Sequence, residues 1–255
     1  MAISIDPAWL LTTLLLSVRV AAATVLTSVL GPAQVPGTVR VLLAVSLGAL
    51  LATAASPHNA VPASVLELGV ACLVEAAIGG AFAVGFLVAY AATQVAGRAL
   101  DLQMGFGLSS VLNPDTQTLS SLTGMVLGLV GVAVFLGLDG HHALIRALAA
   151  SVSAFPPATA PDSILWPAAF ADAAVMFTYG LMLAAPVMCA LLLADITMAV
   201  FARSMPQLNI FVMGFALKIV LGTIALAAAL PLSQSVYNTL FGVLLRQWSR
   251  MATGS

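Results

Sequence analysis

Apolar positions along this chain do not alternate or fall into narrow stripes. They run on without interruption. Residues 76–97, 119–138 and 173–194 carry no formal charge, and residues 9–30 carry one, Arg19, near the middle. An α-helix rises 1.5 Å per residue, so about 20 apolar residues cover the hydrocarbon core of a bilayer. Two further runs are weaker: residues 41–55 are short, and residues 208–230 are broken by Lys218. The pattern therefore predicts about six helical spans.

Between the runs, proline marks the stops. Pro32 and Pro36, Pro57 and Pro62, Pro156 through Pro161, and Pro206 each sit where a fixed φ and a missing N–H end a helix. Connections this short join neighbouring helices as antiparallel hairpins, so an all-α, membrane-associated fold is expected. No internal repeat, linker or composition shift divides the chain, which predicts a single domain over residues 1–255.

Two shorter segments are amphipathic. Residues 141–152 place Leu144, Ile145, Leu148 and Val152 on one helical face. The C-terminal stretch groups Val236, Tyr237, Leu240, Phe241, Leu244, Leu245 and Trp248, against Ser235, Asn238, Gly242, Arg246 and Arg250 opposite. Such a helix suits a lipid interface or a neighbouring subunit.

One stretch breaks the apolar pattern without being a short turn. Residues 98–117 lie between two long runs, carry Arg98, Asp101 and Asp115, and end on the turn signal Asn113-Pro114-Asp115. Gly105 and Gly107 allow turning and close packing. Met104, Phe106, Leu108, Val111 and Leu112 are apolar and deformable.

Composition sharpens the picture. Of 255 residues, 62% are hydrophobic and 7% charged, against about a quarter charged in ordinary soluble domains, and the mean hydropathy is +1.12. The partner of most of the surface is the lipid bilayer or other membrane protein. Eight basic and nine acidic residues are scattered singly, so no nucleic-acid partner is expected. Cys72 and Cys189 lie in apolar runs and read as packing residues. The first residues lack the positive charges of a signal peptide, and the opening run reads as a retained helix. Arg40, Arg98 and Arg203 fall on one side of a six-span topology and Arg146, Arg246 and Arg250 on the other, so the positive-inside rule does not orient the chain.

Arg19, Glu75, Asp172, Asp195 and Lys218 sit in or beside apolar runs, where an isolated ion costs about 2.5–3.5 kcal/mol on insertion scales. They are expected to form ion pairs between helices or to line a polar path. Glu67 and Glu75, eight residues apart, are expected on nearby faces of one helix. Gly124 and Gly128, with Gly131, form a small-residue stripe for close helix contact.

Recognisable catalytic chemistry is missing from the sequence. His141-His142 lacks a third His or Cys nearby, and adjacent helical positions point about 100° apart, which argues against a metal. Gly105-Phe106-Gly107 has neither the third glycine nor the βαβ context of a dinucleotide loop, and no phosphate loop, HExxH or GxSxG occurs. The expectation is a non-enzymatic protein without cofactor or metal. A small-solute secondary transporter, with an intramembrane ionisable site, is the alternative, though the two halves show no matching broken helices.

The run Gln103-Met104-Gly105-Phe106-Gly107, then Asn113-Pro114-Asp115-Thr116-Gln117, resembles the flagellar biosynthetic protein FliR family, which includes the injectisome counterpart SctT. Gly140-His141 before an amphipathic stretch closing at Ser153-Ala154-Phe155-Pro156 agrees. So does Pro206-Gln207-Leu208-Asn209-Ile210-Phe211-Val212-Met213-Gly214-Phe215, leading into Leu217-Lys218-Ile219.

The resemblance implies a subunit of the type III export gate in the bacterial inner membrane, at the flagellar basal body. Its partners would be FliP-like and FliQ-like subunits, the export proteins FlhA and FlhB, and unfolded export substrates. The chain itself would join a FliP-like to a FliQ-like part, its hairpins completing a helical channel assembly. It further implies that Met104, Gly105, Phe106, Gly107, Leu108, Val111, Leu112, Asn113, Pro114 and Asp115 belong to a plug in the channel.

Overall fold

The computed structural model describes residues 6–27, 36–54, 64–106, 121–159, 165–204 and 210–253. Among them every regular element is helical, in the order α1 (Pro7–Thr27), α2 (Gly37–Ala54), α3 (Val65–Met104), α4 (Leu122–Gly137), α5 (Gly140–Ala154), α6 (Leu165–Ala171), α7 (Ala173–Met182), α8 (Ala185–Ser204) and α9 (Ile210–Thr253).

Short polar signals begin these helices. The Asp6 carboxylate accepts from the Ala8 amide at 3.0 Å, with Pro7 in the first helical position, where its missing N–H costs nothing. Ser64 and Glu67 have capping-box spacing, and the Glu67 amide donates to Ser64 Oγ at 3.2 Å. Ser121 caps α4 by accepting from the Gly124 amide at 2.7 Å.

Four of the described helices are long and apolar enough to cross a membrane, in α1, α3, α8 and α9, or five if α4 and α5 form one broken span. The pattern predicts about six; the run at residues 41–55 forms the shorter α2, and that at 119–138 forms α4, which reaches span length only together with α5. Two other runs have different helix bounds. Residues 173–194 do not form one helix: the chain tightens at Leu183 and Ala184, whose amides reach Gly180 and Leu181 carbonyls. Pro186 follows at once and cannot donate to the preceding turn. Conversely, residues 208–230 do not stop where the apolar run ends. Helix α9 continues through Pro231 for 44 residues and incorporates the amphipathic C-terminal segment.

The chain divides into two compact units. The first comprises residues 1–88, 139–174 and 242–255. In it Leu16, Val20, Ala44, Leu51 and Ala52 form a core, with Leu47 and Val152 packed on it. Trp248 is buried, its indole N–H donating to the Phe82 carbonyl at 2.8 Å, and Gln247 donates to the Ala169 carbonyl. Thus the apolar face read at Leu244 and Trp248 is the buried one, while Arg246 and Arg250 are exposed.

The second unit comprises residues 89–138 and 175–241. Its core is Ala96, Leu100, Met104, Leu127, Ala184, Val187, Leu191 and Ala229. Tyr237 is buried against Gly131, and its hydroxyl donates to the Leu127 carbonyl at 2.6 Å.

Large apolar side chains remain exposed on both units. Leu73 is 72% exposed, Leu193 65%, Ile224 61% and Leu232 69%. A surface of this kind is covered by lipid or by other protein.

Candidate functional site

The ends of the loop singled out in the sequence are held together by contacts between α3 and α4. Asp101, 7% exposed, accepts through Oδ1 from the Thr123 amide at 3.1 Å and from the Thr123 hydroxyl. A carboxylate placed on the free amides of a helix N-terminus is favourable in both hydrogen bonding and charge. Two turns back along α3, Gln94 Nε2 donates to the Gly124 carbonyl at 3.0 Å. Gly97 approaches Gly124 so closely that a Cβ at position 97 would fall on the Gly124 backbone. Two glycines facing each other let the helices meet backbone to backbone.

The first loop residues are equally fixed. Gly105 ends α3 with φ +92°, a conformation that costs a residue with a Cβ about 1–2 kcal/mol, and its amide donates to the Leu102 carbonyl at 3.2 Å. A Cβ there would also strike the Phe215 ring. Met104 is 1% exposed, and Phe106 packs against the same apolar core. Of the proposed plug residues, these three lie among the described residues. Gly107, Leu108, Val111, Leu112, Asn113, Pro114 and Asp115 lie outside them.

The ionisable residues of the apolar runs have specific partners. Arg19 and Glu75, both fully buried, pair at 2.6 Å between α1 and α3. Arg19 also donates through Nη1 to Ser151 Oγ at 3.0 Å and through Nη2 to the Phe155 carbonyl at 2.8 Å. The second Glu75 oxygen accepts from the Ala158 amide at 3.3 Å. One guanidinium and one carboxylate thereby join α1, α3, α5 and the following turn. A buried pair tolerates its lost hydration only when its remaining donors and acceptors are met in this way. Glu67 does not share that site. It is exposed, because eight residues leave a rotation of roughly 80° between side chains on a 3.6-residue helix.

Lys218 Nζ lies 2.5 Å from Asp195 Oδ1, linking α9 to α8, with side chains 29% and 38% exposed. Asp172 pairs with Arg250. Cys72 is half-buried and Cys189 exposed, and both are free thiols.

The histidines differ from the expected divergence. The rings of His141 and His142 stand 4.0 Å apart, and His142 Nδ1 is 3.1 Å from Asp139 Oδ1. Side-chain rotation in the first turn of α5 overcomes the angular separation of adjacent backbone positions.

Sequence reasoning found Asp101 but missed its partner. Ser121 and Thr123 read as part of an apolar run beginning at residue 119, whereas Ser121 is the helix cap. The capping residue type was the available signal. Ser151, which receives Arg19, carried no signal, since its role depends on contacts 132 residues apart in sequence.

An all-helical chain with membrane-length helices, one fully buried inter-helix ion pair and a loop pinned at its stems has the build of a membrane protein. Residues 10–244 match the family described as "Bacterial export proteins, family 1", and the chain belongs to that family.

Among similar proteins is the "Flagellar biosynthetic protein FliR" of Bacillus subtilis (strain 168), 32% identical over 166 residues, covering 62% of this chain and 63% of that protein. The protein of the same name from Escherichia coli (strain K12) is 31% identical over 162 residues, covering 62% of each. The "Yop proteins translocation protein T" of Yersinia pestis is 29% identical over 161 residues, 58% of this chain and 60% of that protein. The matched stretch thus spans rather less than two thirds of the length of these relatives.

Proposed function

We propose that this chain is a non-enzymatic core subunit of a flagellar type III protein export gate in the bacterial inner membrane. Its substrates are unfolded export polypeptides, and its neighbours are FliP-like and FliQ-like subunits, with FlhA and FlhB docked on the assembly. The flagellar branch is favoured because Leu208-Asn209-Ile210-Phe211 and Leu217-Lys218-Ile219 resemble it, and two of the relatives named FliR share 32% and 31% identity, against 29% for the Yersinia translocation protein.

The observation that carries the mechanism is the clamp at the loop stems. Asp101 on Thr123 and Gly97 on Gly124 fix where the chain leaves α3 and enters α4, and Met104 and Phe106 anchor its first residues in the core. A loop with rigid ends and an apolar, glycine-bearing middle is suited to block small solutes and to be displaced by a passing polypeptide. The chain would shape and plug the conduit, with the drive for export supplied elsewhere.

The broad exposed apolar faces of α8 and α9 support life within an assembly. So does the Lys218–Asp195 pair, whose partly exposed charges are poorly matched to hydrocarbon. Nothing in the relatives supports a small-solute transporter.

Affinity purification of the tagged chain at native level in mild detergent tests the proposal. It should bring down FliP- and FliQ-like proteins, and the chain alone in liposomes should move no solute. Solute turnover by the isolated chain, abolished at Glu75 or Lys218, would overturn it in favour of the transporter.

A further inference from the structure

The bend between α4 and α5 holds a cluster that the export role does not use. Asp139, His141 and His142 place one ligand atom each within 4.8 Å of one another. The Asp139 oxygen and His142 Nδ1 are already 3.1 Å apart, close to the separation of two ligands on one tetrahedral metal with bonds of about 2.0–2.2 Å.

Three observations make this more than a polar turn. Asp139 adopts φ 54°, ψ 30° at the N-cap position yet makes no side-chain bond to the α5 amides, so its carboxylate is turned to the histidines instead. His141 Nδ1 is sequestered from solvent and has no hydrogen-bond partner among the described residues. The two imidazoles stand 4.0 Å apart, near enough for both to reach one ion. The positive end of α5 opposes a cation, and the Asp139 charge is what offsets it.

We infer that Asp139, His141 and His142 form a binding site for one borderline divalent transition metal ion, of the zinc or copper(II) type, which suits two imidazoles and a carboxylate. Bound there, the ion would tie the Asp139 turn to the first turn of α5. Three ligands from one short segment leave a position open to water, so the site is of moderate affinity and exchangeable. The inference does not depend on the export role.

The test uses the assembled complex, purified without a polyhistidine tag and carrying His58→Gln, which removes this chain's one remaining histidine; the parent is read against the same complex with His141→Gln and His142→Gln, which subtracts copper held by other subunits. Copper(II) added at one equivalent should give an electron paramagnetic resonance spectrum with nitrogen splitting from two imidazoles, and zinc should displace it. His142→Ala, at a solvent-facing side chain, should weaken binding by at least about tenfold and leave splitting from one imidazole, and Asp139→Asn should weaken it without changing the nitrogen count. The same spectrum and affinity in His142→Ala, or no stoichiometric binding by the parent complex, would overturn the site. Co-purification of the assembly's subunits, checked in parallel, shows that each variant is intact.

Discussion

Thr123 donates its backbone amide to the carboxylate of Asp101 at 3.1 Å, across 22 residues of sequence that include the whole of the loop outside the described region. The bond makes the start of α4 dependent on the end of α3. Asp101→Ala removes a helix-capping acceptor and leaves Thr123 unsatisfied in a buried place, for a loss of about 1–2 kcal/mol. Asp101→Asn, which keeps an acceptor and loses the charge, should lose less. Thermal unfolding of the detergent-solubilised assembly separates the two, and equal losses would mean that the acceptor is unimportant.

Gly105→Ala should destabilise the same stem through two independent causes, positive φ and collision with the Phe215 ring. Together they amount to at least about 2 kcal/mol. Combining it with Phe215→Ala relieves the collision alone. The double variant should therefore recover part of the loss attributed to the alanine at 105, read as non-additive melting temperatures.

Arg19 and Glu75 should behave as one unit. Removing either leaves an uncompensated buried charge, at about 3–5 kcal/mol, and should sharply reduce the amount of chain in the membrane. Arg19→Met with Glu75→Leu avoids the lone charge but strands the Phe155 carbonyl and the Ala158 amide. Recovery should be partial, measured as steady-state protein level. Full additivity of the two single losses would contradict the pairing.

At Lys218 and Asp195 the outcome differs, because both side chains are partly exposed and screening reduces what the pair contributes. Lys218→Met or Asp195→Leu alone should impair membrane insertion by leaving an ion in an apolar helix, whereas the double substitution should insert at least as well as the parent. Glycosylation-based insertion assays give this directly.

Much of this architecture is legible in the sequence because bilayer thickness dictates run length, and the stops at proline are local. Arg19 and Glu75 could be marked as residues in need of partners from their apolar surroundings alone. Their pairing could not, since it joins positions 56 residues apart. The break at Leu183 and Ala184 was hidden because the apolar run is unbroken across it, although Pro186 was a local signal. The continuation of α9 was hidden because the apolar run ends at Leu230, yet the helix goes on through the buried Tyr237, Leu240 and Leu244. The loop stood out by composition, whereas its stems rest on Gly97 and Gly124, whose contact is invisible until the helices are placed.

The central claim is that the loop, held by its stems, seals a conduit. Its most direct measurement is single-channel conductance of the assembled complex in planar bilayers after deletion of residues 107–112, which spares the anchors Met104 and Phe106. The account predicts subunit composition equal to the parent and a persistent ion conductance where the parent is closed. A deleted complex that is complete and still as tight as the parent would contradict it.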